Sequence, residues 1–318
     1  MPALRKLMKM EILQGRLSAP RSIPTALINQ PVTQFNRRFL NPNSDSCWIN
    51  SMIQMILTAM DHSDDLNFKS ALGIQLTMIQ FETVVDPKPF KVLLQNEKEK
   101  YSTYDSSENI VYNQQDAKEF VSTLSLYKEN EAWNDVCNMI QHKLLETFTC
   151  MQCEHKTQRV LEAQLFQTIE LPPNNIKLKR SIQKCFNDSD EYPEKRWDDH
   201  ESDCVGATRK VQIITKESSS LLMININRDE RSVRNRNDAS DDLILVDDKS
   251  IPRTFELIAA VEHIGNITSE GADQGHYICD VKYHADKKWY RTDDEKMPKL
   301  IEKQKVTKRP YILLYRRK

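Results

Sequence analysis

The densest apolar stretch of the chain runs from Cys47 to Met60. Its hydrophobic residues do not form a single stripe but fall on most sides of a helical wheel: Trp48, Ile49, Met52, Ile53, Met55, Ile56, Leu57 and Met60. A helix that is apolar on most sides is usually found inside a domain. The pattern therefore predicts a buried helix with a cysteine in its first turn.

Two further helices are predicted, one from near Asn113 and one from Ala132 towards Leu145. After Thr147 the apolar runs become short and are bounded by Pro, Ser or charged residues, which is typical of antiparallel strands. The predicted strands cover residues 160–171, 210–215, 221–227, 255–262, 276–283, 288–291 and 310–316. A helical half followed by a strand-rich half favours an α+β fold.

Residues 1–35 combine basic side chains with Pro20, Pro24 and Pro31, and we expect a partly disordered leader there. Residues 36–318 are expected to form the folded domain. Within it, two charged or polar segments are predicted to be loops, 187–203 and 229–249, the second around an apolar island at 243–246.

Composition and charge exclude several classes of protein. With 45 basic and 46 acidic side chains the net charge is −1, so neither nucleic acid nor a membrane is an expected partner. Charges at Arg5, Lys6, Lys9 and Glu11 interrupt the first apolar stretch and argue against a signal peptide. The odd number of cysteines, seven, favours reduced thiols, metal ligands or a nucleophile over disulfides. We therefore expect a cytoplasmic or nuclear protein.

Cys47 is a candidate nucleophile because it is predicted to begin a helix. The helix dipole and the free backbone N–H groups at that end favour the thiolate, which is the reactive form of cysteine. The alternative interpretation is a buried structural cysteine, the commoner role of a single cysteine on an apolar helix.

His276 is the best candidate for the base. Three of the six glycines in the chain, Gly265, Gly271 and Gly275, lie just before it, and they predict a loop that could admit a substrate. A third group should then orient the imidazole. Asp293 and Asp294 follow a strand that would form a hairpin with the His276 strand. The alternative for this pair is a solvated acidic turn.

Five blocks of the sequence, in order along residues 40–316, resemble the ubiquitin-specific proteases. They are the segment around Asn43-Ser44-Asp45-Ser46-Cys47-Trp48-Ile49-Asn50-Ser51, then Gln114-Gln115-Asp116-Ala117-Lys118-Glu119-Phe120, Gly275-His276-Tyr277, Trp289-Tyr290-Arg291-Thr292-Asp293-Asp294, and Pro310-Tyr311-Ile312-Leu313-Leu314-Tyr315-Arg316. The resemblance implies a papain-like catalytic domain over 36–318, with a helical thumb, a β-rich palm and fingers at about 147–228.

The resemblance also implies roles for single residues. Cys47 would attack the carbonyl of the last glycine of ubiquitin, His276 would act as base and Asp293 would orient it, with help from Asp294. Three further residues would contact the substrate tail, namely Asp116 and the aromatic walls of its channel, Trp48 and Tyr277. No cofactor is implied for catalysis, and the expected partners are ubiquitin or ubiquitinated proteins. We expect a monomer.

The loop before Cys47 departs from the family pattern. The family usually has a glycine three residues before the cysteine and an oxyanion-stabilising asparagine two residues further back, where this chain has Ser44 and Pro42. Asn41 and Asn43 flank the expected position, and we assign the oxyanion contact to Asn43. Loss of one such donor costs about a hundredfold in rate.

Cys150 and Cys153 have the C-x-x-C spacing that binds zinc, and the resemblance places such sites at the fingertips. The second pair of the family is incomplete here, with Cys204 at its last position and His200 as substitute. Cys150, Cys153, His200 and Cys204 would therefore hold a structural zinc ion. Cys185 is an outside candidate for the incomplete pair. The alternative is a decayed site held together by packing.

The implied function is thiol-dependent hydrolysis after the C-terminal glycine of ubiquitin. Two alternatives remain open from the sequence. One is a protease for another modifier such as SUMO, because the matched residues concern the glycine channel. The other is an inactive ubiquitin-binding module, which the altered residues Pro42 and Ser44 would suit.

Overall fold

The computed structural model describes residues 35–41, 44–63, 68–80, 82–95, 102–104, 110–112, 116–126, 128–170, 178–187, 189–196, 204–216, 218–227, 242–265, 275–306 and 309–318. Residues 1–34, almost all of the predicted leader, lie outside this set.

Six α-helices occur in the described part of the chain. They are α1 (Cys47–Asp61), α2 (Ala71–Ile79), α3 (Lys88–Gln95), α4 (Ala117–Leu126), α5 (Asn134–Ile140) and α6 (Leu178–Asn187). None of these helices has the length and apolar content needed to span a lipid bilayer.

Helix α1 confirms the first prediction from the sequence. It begins at Cys47, and every residue from Cys47 to Met60 is buried. Apolar side chains on most sides of this helix favour burial, which is why it runs through the interior. The cysteine thus lies at the first turn of a central helix.

Two other helix predictions need correction at their ends. The helix predicted from near Asn113 begins at Ala117, and its predicted first residues 113–115 lie outside the described set. The helix predicted from Ala132 towards Leu145 covers only Asn134–Ile140. Gln141 is extended, with φ −61° and ψ 147°, and this backbone change ends the helix before the next strand begins at Leu144.

Sixteen strands lie among the described residues. They are β1 (Arg38–Phe39), β2 (Val84–Val85), β3 (Ser102–Tyr104), β4 (Ile110–Tyr112), β5 (Leu144–Cys150), β6 (Lys156–Val160), β7 (Phe166–Glu170), β8 (Ser189–Arg196), β9 (Val205–Ile213), β10 (Leu221–Asn227), β11 (Leu243–Val246), β12 (Pro252–Ile264), β13 (His276–Lys282), β14 (Trp289–Asp293), β15 (Lys296–Ile301) and β16 (Pro310–Arg317).

The large sheet has the order β15-β14-β13-β12-β16-β10-β7, with β11 paired to β12. All of its neighbours are antiparallel except β10 and β7, which run parallel. The strand predicted over residues 160–171 is in fact the end of β6 and the whole of β7, which belong to different sheets. Helices that come first in the chain and a mainly antiparallel sheet confirm the α+β class.

A second sheet has four antiparallel strands in the order β6-β5-β9-β8. Strand β8 (Ser189–Arg196) lies in a segment that the sequence predicted to be a loop. Its charged residues mask the usual apolar pattern, because strand pairing uses backbone groups that every residue except proline provides. The predicted span of the fingers, 147–228, includes most of this sheet and also β7 and β10 of the large sheet.

The large sheet is buried on both faces. Tyr277, Cys279 and Val281 of β13 share one hydrophobic cluster with helix α1. Leu313 and Tyr315 of β16 belong to a second cluster, together with apolar residues of α6. Because side chains alternate along a strand, the two clusters lie on opposite faces. Helix α1 is therefore fixed against the start of β13.

Candidate active site

The sulfur of Cys47 lies at the junction of α1 and β13. The Cys47 side chain is covered, with only 1% of the residue exposed. Backbone N–H groups of Tyr277 and Trp48 donate hydrogen bonds to the sulfur. Since Tyr277 directly follows His276, the hydrogen bond from its N–H brings the nucleophile beside the start of the strand that carries the base.

The environment of Cys47 favours a neutral thiol in the resting protein. Burial raises its pKa to about 11, against the opposing effect of the Tyr277 N–H, and the Asp294 carboxylate raises the pKa further. A thiol with such a pKa is almost entirely protonated near neutral pH. It therefore needs a base to remove its proton before it can attack a carbonyl.

His276 and Asp293 are brought together by the hairpin of β13 and β14. The two strands are antiparallel, with Cys279 opposite Thr292, so the start of β13 lies beside the end of β14. His276 Nε2 is 2.6 Å from Asp293 Oδ1. A hydrogen at Nε2 that donates to Asp293 leaves Nδ1 as the proton acceptor. The predicted contact of the acidic pair with the imidazole is present.

Asp293 is kept ionised by its neighbours. Burial opposes the charge, but hydrogen bonds from Lys296 and His276 outweigh it and lower the Asp293 pKa. Lys296 Nζ is 2.7 Å from Asp293 Oδ2 and the lysine is exposed. A charged Asp293 can hold the imidazole ring and stabilise its protonated form.

Asp294 faces the other side of the imidazole and is held by two asparagines. Its Oδ2 lies 4.0 Å from His276 Nδ1 and accepts a hydrogen bond from Asn41 Nδ2 at 2.6 Å. Its Oδ1 accepts from Asn50 Nδ2 at 2.8 Å. Burial raises the Asp294 pKa in spite of these hydrogen bonds. Asp294 has a positive φ of 45°, a conformation that its side-chain contacts help to hold.

Asn41 organises the loop before the nucleophile. Its Oδ1 accepts from the Ser46 N–H at 2.9 Å, and its carbonyl oxygen accepts from the Ser44 N–H at 3.1 Å. The Asn41 side chain is thus engaged by the protein on both of its polar ends. Asn43, the predicted oxyanion donor, lies outside the described residues, as does Pro42.

The predicted tail-binding residues form a buried cluster. Asp116 accepts hydrogen bonds from the hydroxyls of Tyr277, at 3.3 Å, and Tyr311, at 2.5 Å. Trp48 is buried and donates its Nε1–H to the carbonyl oxygen of Asp45 at 2.9 Å. Because the Trp48 and Tyr277 rings are covered here, contact with a substrate would require the cleft to open. Their role in binding stays a prediction.

Three cysteine sulfurs lie together at the end of the small sheet. Cys150, Cys153 and Cys204 have their sulfurs within 4.8 Å of one another, and those of Cys153 and Cys204 are 3.8 Å apart. A tetrahedral zinc ion with bonds of about 2.3 Å would hold its sulfurs about 3.8 Å apart. The three donors therefore fit zinc. His200, the predicted fourth ligand, lies outside the described residues.

The thiols of this cluster influence one another. The Gln152 N–H donates to the Cys150 sulfur and lowers the Cys150 pKa. At Cys153 the His155 N–H favours the thiolate, but burial and the neighbouring thiols outweigh this effect and raise the pKa. Thiolates so close repel each other, and a bound cation would relieve that repulsion.

Comparison with known proteins decides the family. A family model described as ubiquitin carboxyl-terminal hydrolase matches residues 40–315, most of the chain. The chain belongs to this family. As a ubiquitin carboxyl-terminal hydrolase it is a cysteine-type deubiquitinating enzyme, and the predictions of family and enzyme class are confirmed. A search of curated proteins found no significant match.

Two solved structures have a similar fold. The SAGA DUB module Ubp8/Sgf11/Sus1/Sgf73 bound to monoubiquitin matches with a TM-score of 0.65 at 14% identity, covering 100% of this chain and 76% of that chain. The same module bound to ubiquitin aldehyde matches with a TM-score of 0.62 at 16% identity, covering 89% and 69%. At these identities the likeness establishes the fold of this ubiquitin carboxyl-terminal hydrolase.

Sequence reasoning missed two of the residues that shape the site. Asn50 was part of the cysteine block, but no role followed from the resemblance. Its position three residues after Cys47, on the same side of α1, was the available signal. Lys296 was also missed, because only the turn between β14 and β15 brings it to Asp293.

Asn50→Ala should destabilise the junction between α1 and the β13–β14 hairpin. The change removes a hydrogen bond to a carboxylate that is mostly buried, so we expect the free energy of unfolding to fall by about 1.5–3 kcal/mol. We also expect lower kcat. Urea unfolding and steady-state kinetics measure the two effects.

Asn138→Ala is the matched control, because Asn138 is exposed and its side chain accepts a hydrogen bond from half-buried Gln141. An Asn50→Ala protein as stable and active as the Asn138→Ala protein would contradict the importance of the Asp294 contact.

Proposed function

We propose that this enzyme cleaves the peptide or isopeptide bond after the C-terminal glycine of ubiquitin, with Cys47 as nucleophile, His276 as base and Asp293 as orienting residue. The observation that carries the proposal is the contact of His276 Nε2 with Asp293 beside a sulfur that accepts the Tyr277 N–H. This is the arrangement that thiol hydrolysis by a Cys-His-Asp site requires.

The first half of the reaction forms a thioester. His276 Nδ1 takes the proton of the Cys47 thiol as the sulfur attacks the glycine carbonyl carbon. The carbon–nitrogen bond then breaks, and the protonated imidazole gives its proton to the leaving amine. The product is an acyl-enzyme, in which Cys47 carries the ubiquitin carbonyl.

The second half regenerates the thiol. His276 removes a proton from a water molecule, which attacks the thioester carbonyl. The carbon–sulfur bond breaks, the sulfur recovers a proton from the imidazole, and ubiquitin leaves as a carboxylic acid, which releases its proton to the solvent to give the carboxylate. Asp293 stabilises the charged imidazole in both halves, and Asp294, 4.0 Å from Nδ1, adds a second negative charge on the opposite side.

The oxyanion of each tetrahedral intermediate needs donors about 3 Å away. The backbone N–H of Cys47 is one candidate, and we keep Asn43 as the proposed side-chain donor. Asp116, Trp48 and Tyr277 are proposed to border the narrow path of a Gly-Gly tail. Glycines suit that path because larger side chains would collide with the two aromatic rings.

Two observations favour a second candidate function, a module that holds ubiquitin with little or no turnover. The Cys47 sulfur is covered, and Pro42 replaces the usual oxyanion asparagine. The contact between His276 and Asp293 argues for catalysis, because binding alone does not need it. A protease for another modifier such as SUMO would use the same catalytic groups.

We further propose that Cys150, Cys153 and Cys204 hold a structural zinc ion, with His200 as the fourth ligand. When bound, the metal would cross-link the β5–β6 turn to the start of β9. Cys150 ends β5, Cys153 lies in the turn, and Cys204 directly precedes β9. Such a link would stiffen the tip of the small sheet. It takes no part in the reaction.

A cytoplasmic or nuclear location, a monomeric state and ubiquitinated proteins as partners complete the proposal. No disulfide joins any of the seven cysteines, all of which lie among the described residues, and this agrees with a reducing compartment.

A ubiquitin probe with a C-terminal electrophile should label the wild-type protein at Cys47 and should not label Cys47→Ala. Cys137→Ala is the control, because Cys137 is also a buried cysteine outside any disulfide but lies on α5. Mass spectrometry locates the adduct. A parallel probe built on SUMO shows whether the enzyme accepts ubiquitin, SUMO or both.

Labelling that persists in Cys47→Ala would contradict the assignment of the nucleophile. Tight ubiquitin binding without hydrolysis of a fluorogenic ubiquitin substrate would favour the binding module instead.

The purified protein should contain about one zinc ion per chain by elemental analysis. Cys153→Ser should lose the metal, whereas Cys185→Ser should keep it, because Cys185 lies on α6 and outside the cluster. Chelation should lower the melting temperature of the wild type. Wild-type protein that binds no zinc at micromolar concentrations would exclude the site.

A further inference from the structure

A buried lysine contacts the residue two positions before the nucleophile, and it lies on a helix that no sequence motif singled out. Lys91, on α3, is only 4% exposed. Its Nζ lies 2.7 Å from Oδ1 of Asp45, two residues before Cys47. Full burial is rare for lysine, whose charge is costly to remove from water unless it is paired. The burial of Lys91 therefore needs a physical explanation.

The partner of Lys91 is built into the loop that leads to α1. Asp45 Oδ1 also accepts a hydrogen bond from the Ser46 hydroxyl at 2.7 Å. The Asp45 carbonyl oxygen accepts from the indole of Trp48. The Asp45 side chain and backbone thus link α3 to the first turn of α1. Movement of Lys91 would release one anchor of the loop that positions the Cys47 sulfur.

The ion pair is a poor means of stabilising the fold. Desolvation of two charges offsets most of their attraction, so an apolar pair of similar volume often gives equal or greater stability. Burial lowers the Lys91 pKa, whereas Asp45, Cys47 and Asp86 raise it. Asp45, which holds the Lys91 ammonium, lies only two residues before Cys47. A positive charge held at this place would attract a thiolate on Cys47.

The other groups that face the sulfur have opposing effects on a negative charge at Cys47. Asp294 opposes a thiolate, and the backbone N–H groups of Tyr277 and Trp48 favour it. A cation anchored to the loop before Cys47 would offset the unfavourable effect of the Asp294 carboxylate on a Cys47 thiolate.

We propose that Lys91 is a positioning residue of the active site, which anchors the loop before Cys47 through Asp45 and stabilises negative charge on the sulfur. The inference rests on the proposed role of Cys47 as nucleophile. It assigns a specific part of the nucleophile's reactivity to a residue outside the five family blocks.

The test measures the alkylation of Cys47 by iodoacetamide in the full chain from pH 6 to pH 9, with site-resolved mass spectrometry. Below the thiol pKa the rate follows the thiolate fraction, so a tenfold decrease corresponds to one pKa unit. Lys91→Met should slow alkylation of Cys47 roughly tenfold at each pH. Lys91→Arg, which keeps the positive charge, should slow alkylation of Cys47 much less than Lys91→Met does.

Two controls separate this effect from others. Lys88→Met removes an exposed charge one turn earlier on the same helix and should leave the rate unchanged. The double variant Asp45→Asn with Lys91→Met avoids an unpaired buried carboxylate and should still react slowly. If Lys91→Met does not fold, the double variant carries the measurement.

Wild-type alkylation rates in the double variant would overturn the proposal, because Lys91 would then serve only to neutralise Asp45. Equal rates in wild type and Lys91→Met would overturn it as well. With a ubiquitin substrate, Lys91→Met should lower kcat about tenfold and leave KM unchanged. Absence of any ubiquitin hydrolysis in the wild type would refute the proposed function, and the alkylation result would still decide the role of Lys91.

Discussion

The active site depends on the way in which Asp294 joins two parts of the fold. Its carboxylate accepts hydrogen bonds from Asn50, on the helix of the nucleophile, and from Asn41, in the loop before that helix. Its carbonyl oxygen accepts from the Phe39 N–H at 3.0 Å. Glu295, the next residue, accepts from the Asn41 N–H. These contacts fix the turn after β14 to the start of α1, and so they set the relative positions of His276 and Cys47.

The same carboxylate also disfavours a thiolate at Cys47. Asp294 and burial both raise the pKa of Cys47, so the resting sulfur is neutral. The proton of the thiol must therefore pass to His276, beside which the carboxylates of Asp293 and Asp294 lie. Lys91 provides a positive charge at Asp45, two residues before the nucleophile.

Local patterns were enough to predict α1 and the hairpin of β13 and β14. Apolar residues on most sides of α1 favour burial, and antiparallel pairing of the consecutive strands β13 and β14 brings His276 to Asp293. The family blocks then selected one cysteine and one histidine among several. The ends of elements were less well predicted, as at Ile140, where the helix stops because Gln141 turns into an extended conformation.

Contacts between distant parts of the chain could not be predicted in this way. Lys91 lies on a helix without a recognisable motif, and it meets Asp45 only because α3 packs beside the loop before α1. Asn50 meets Asp294 across 244 positions of sequence. The small sheet gathers Cys204 with Cys150 and Cys153 through the pairing of β5 with β9, whereas the proposed partners Asn43 and His200 lie outside the described residues.

The most direct measurement of the central claim is a crystal structure of the protein joined covalently to ubiquitin through a C-terminal electrophile. Our account predicts His276 Nδ1 within about 3.5 Å of the Cys47 sulfur, with Nε2 on Asp293 and the Asp294 carboxylate still bound by Asn41 and Asn50. An adduct on Cys47 in which His276 points away from the sulfur, or in which Asp294 has left both asparagines, would contradict it.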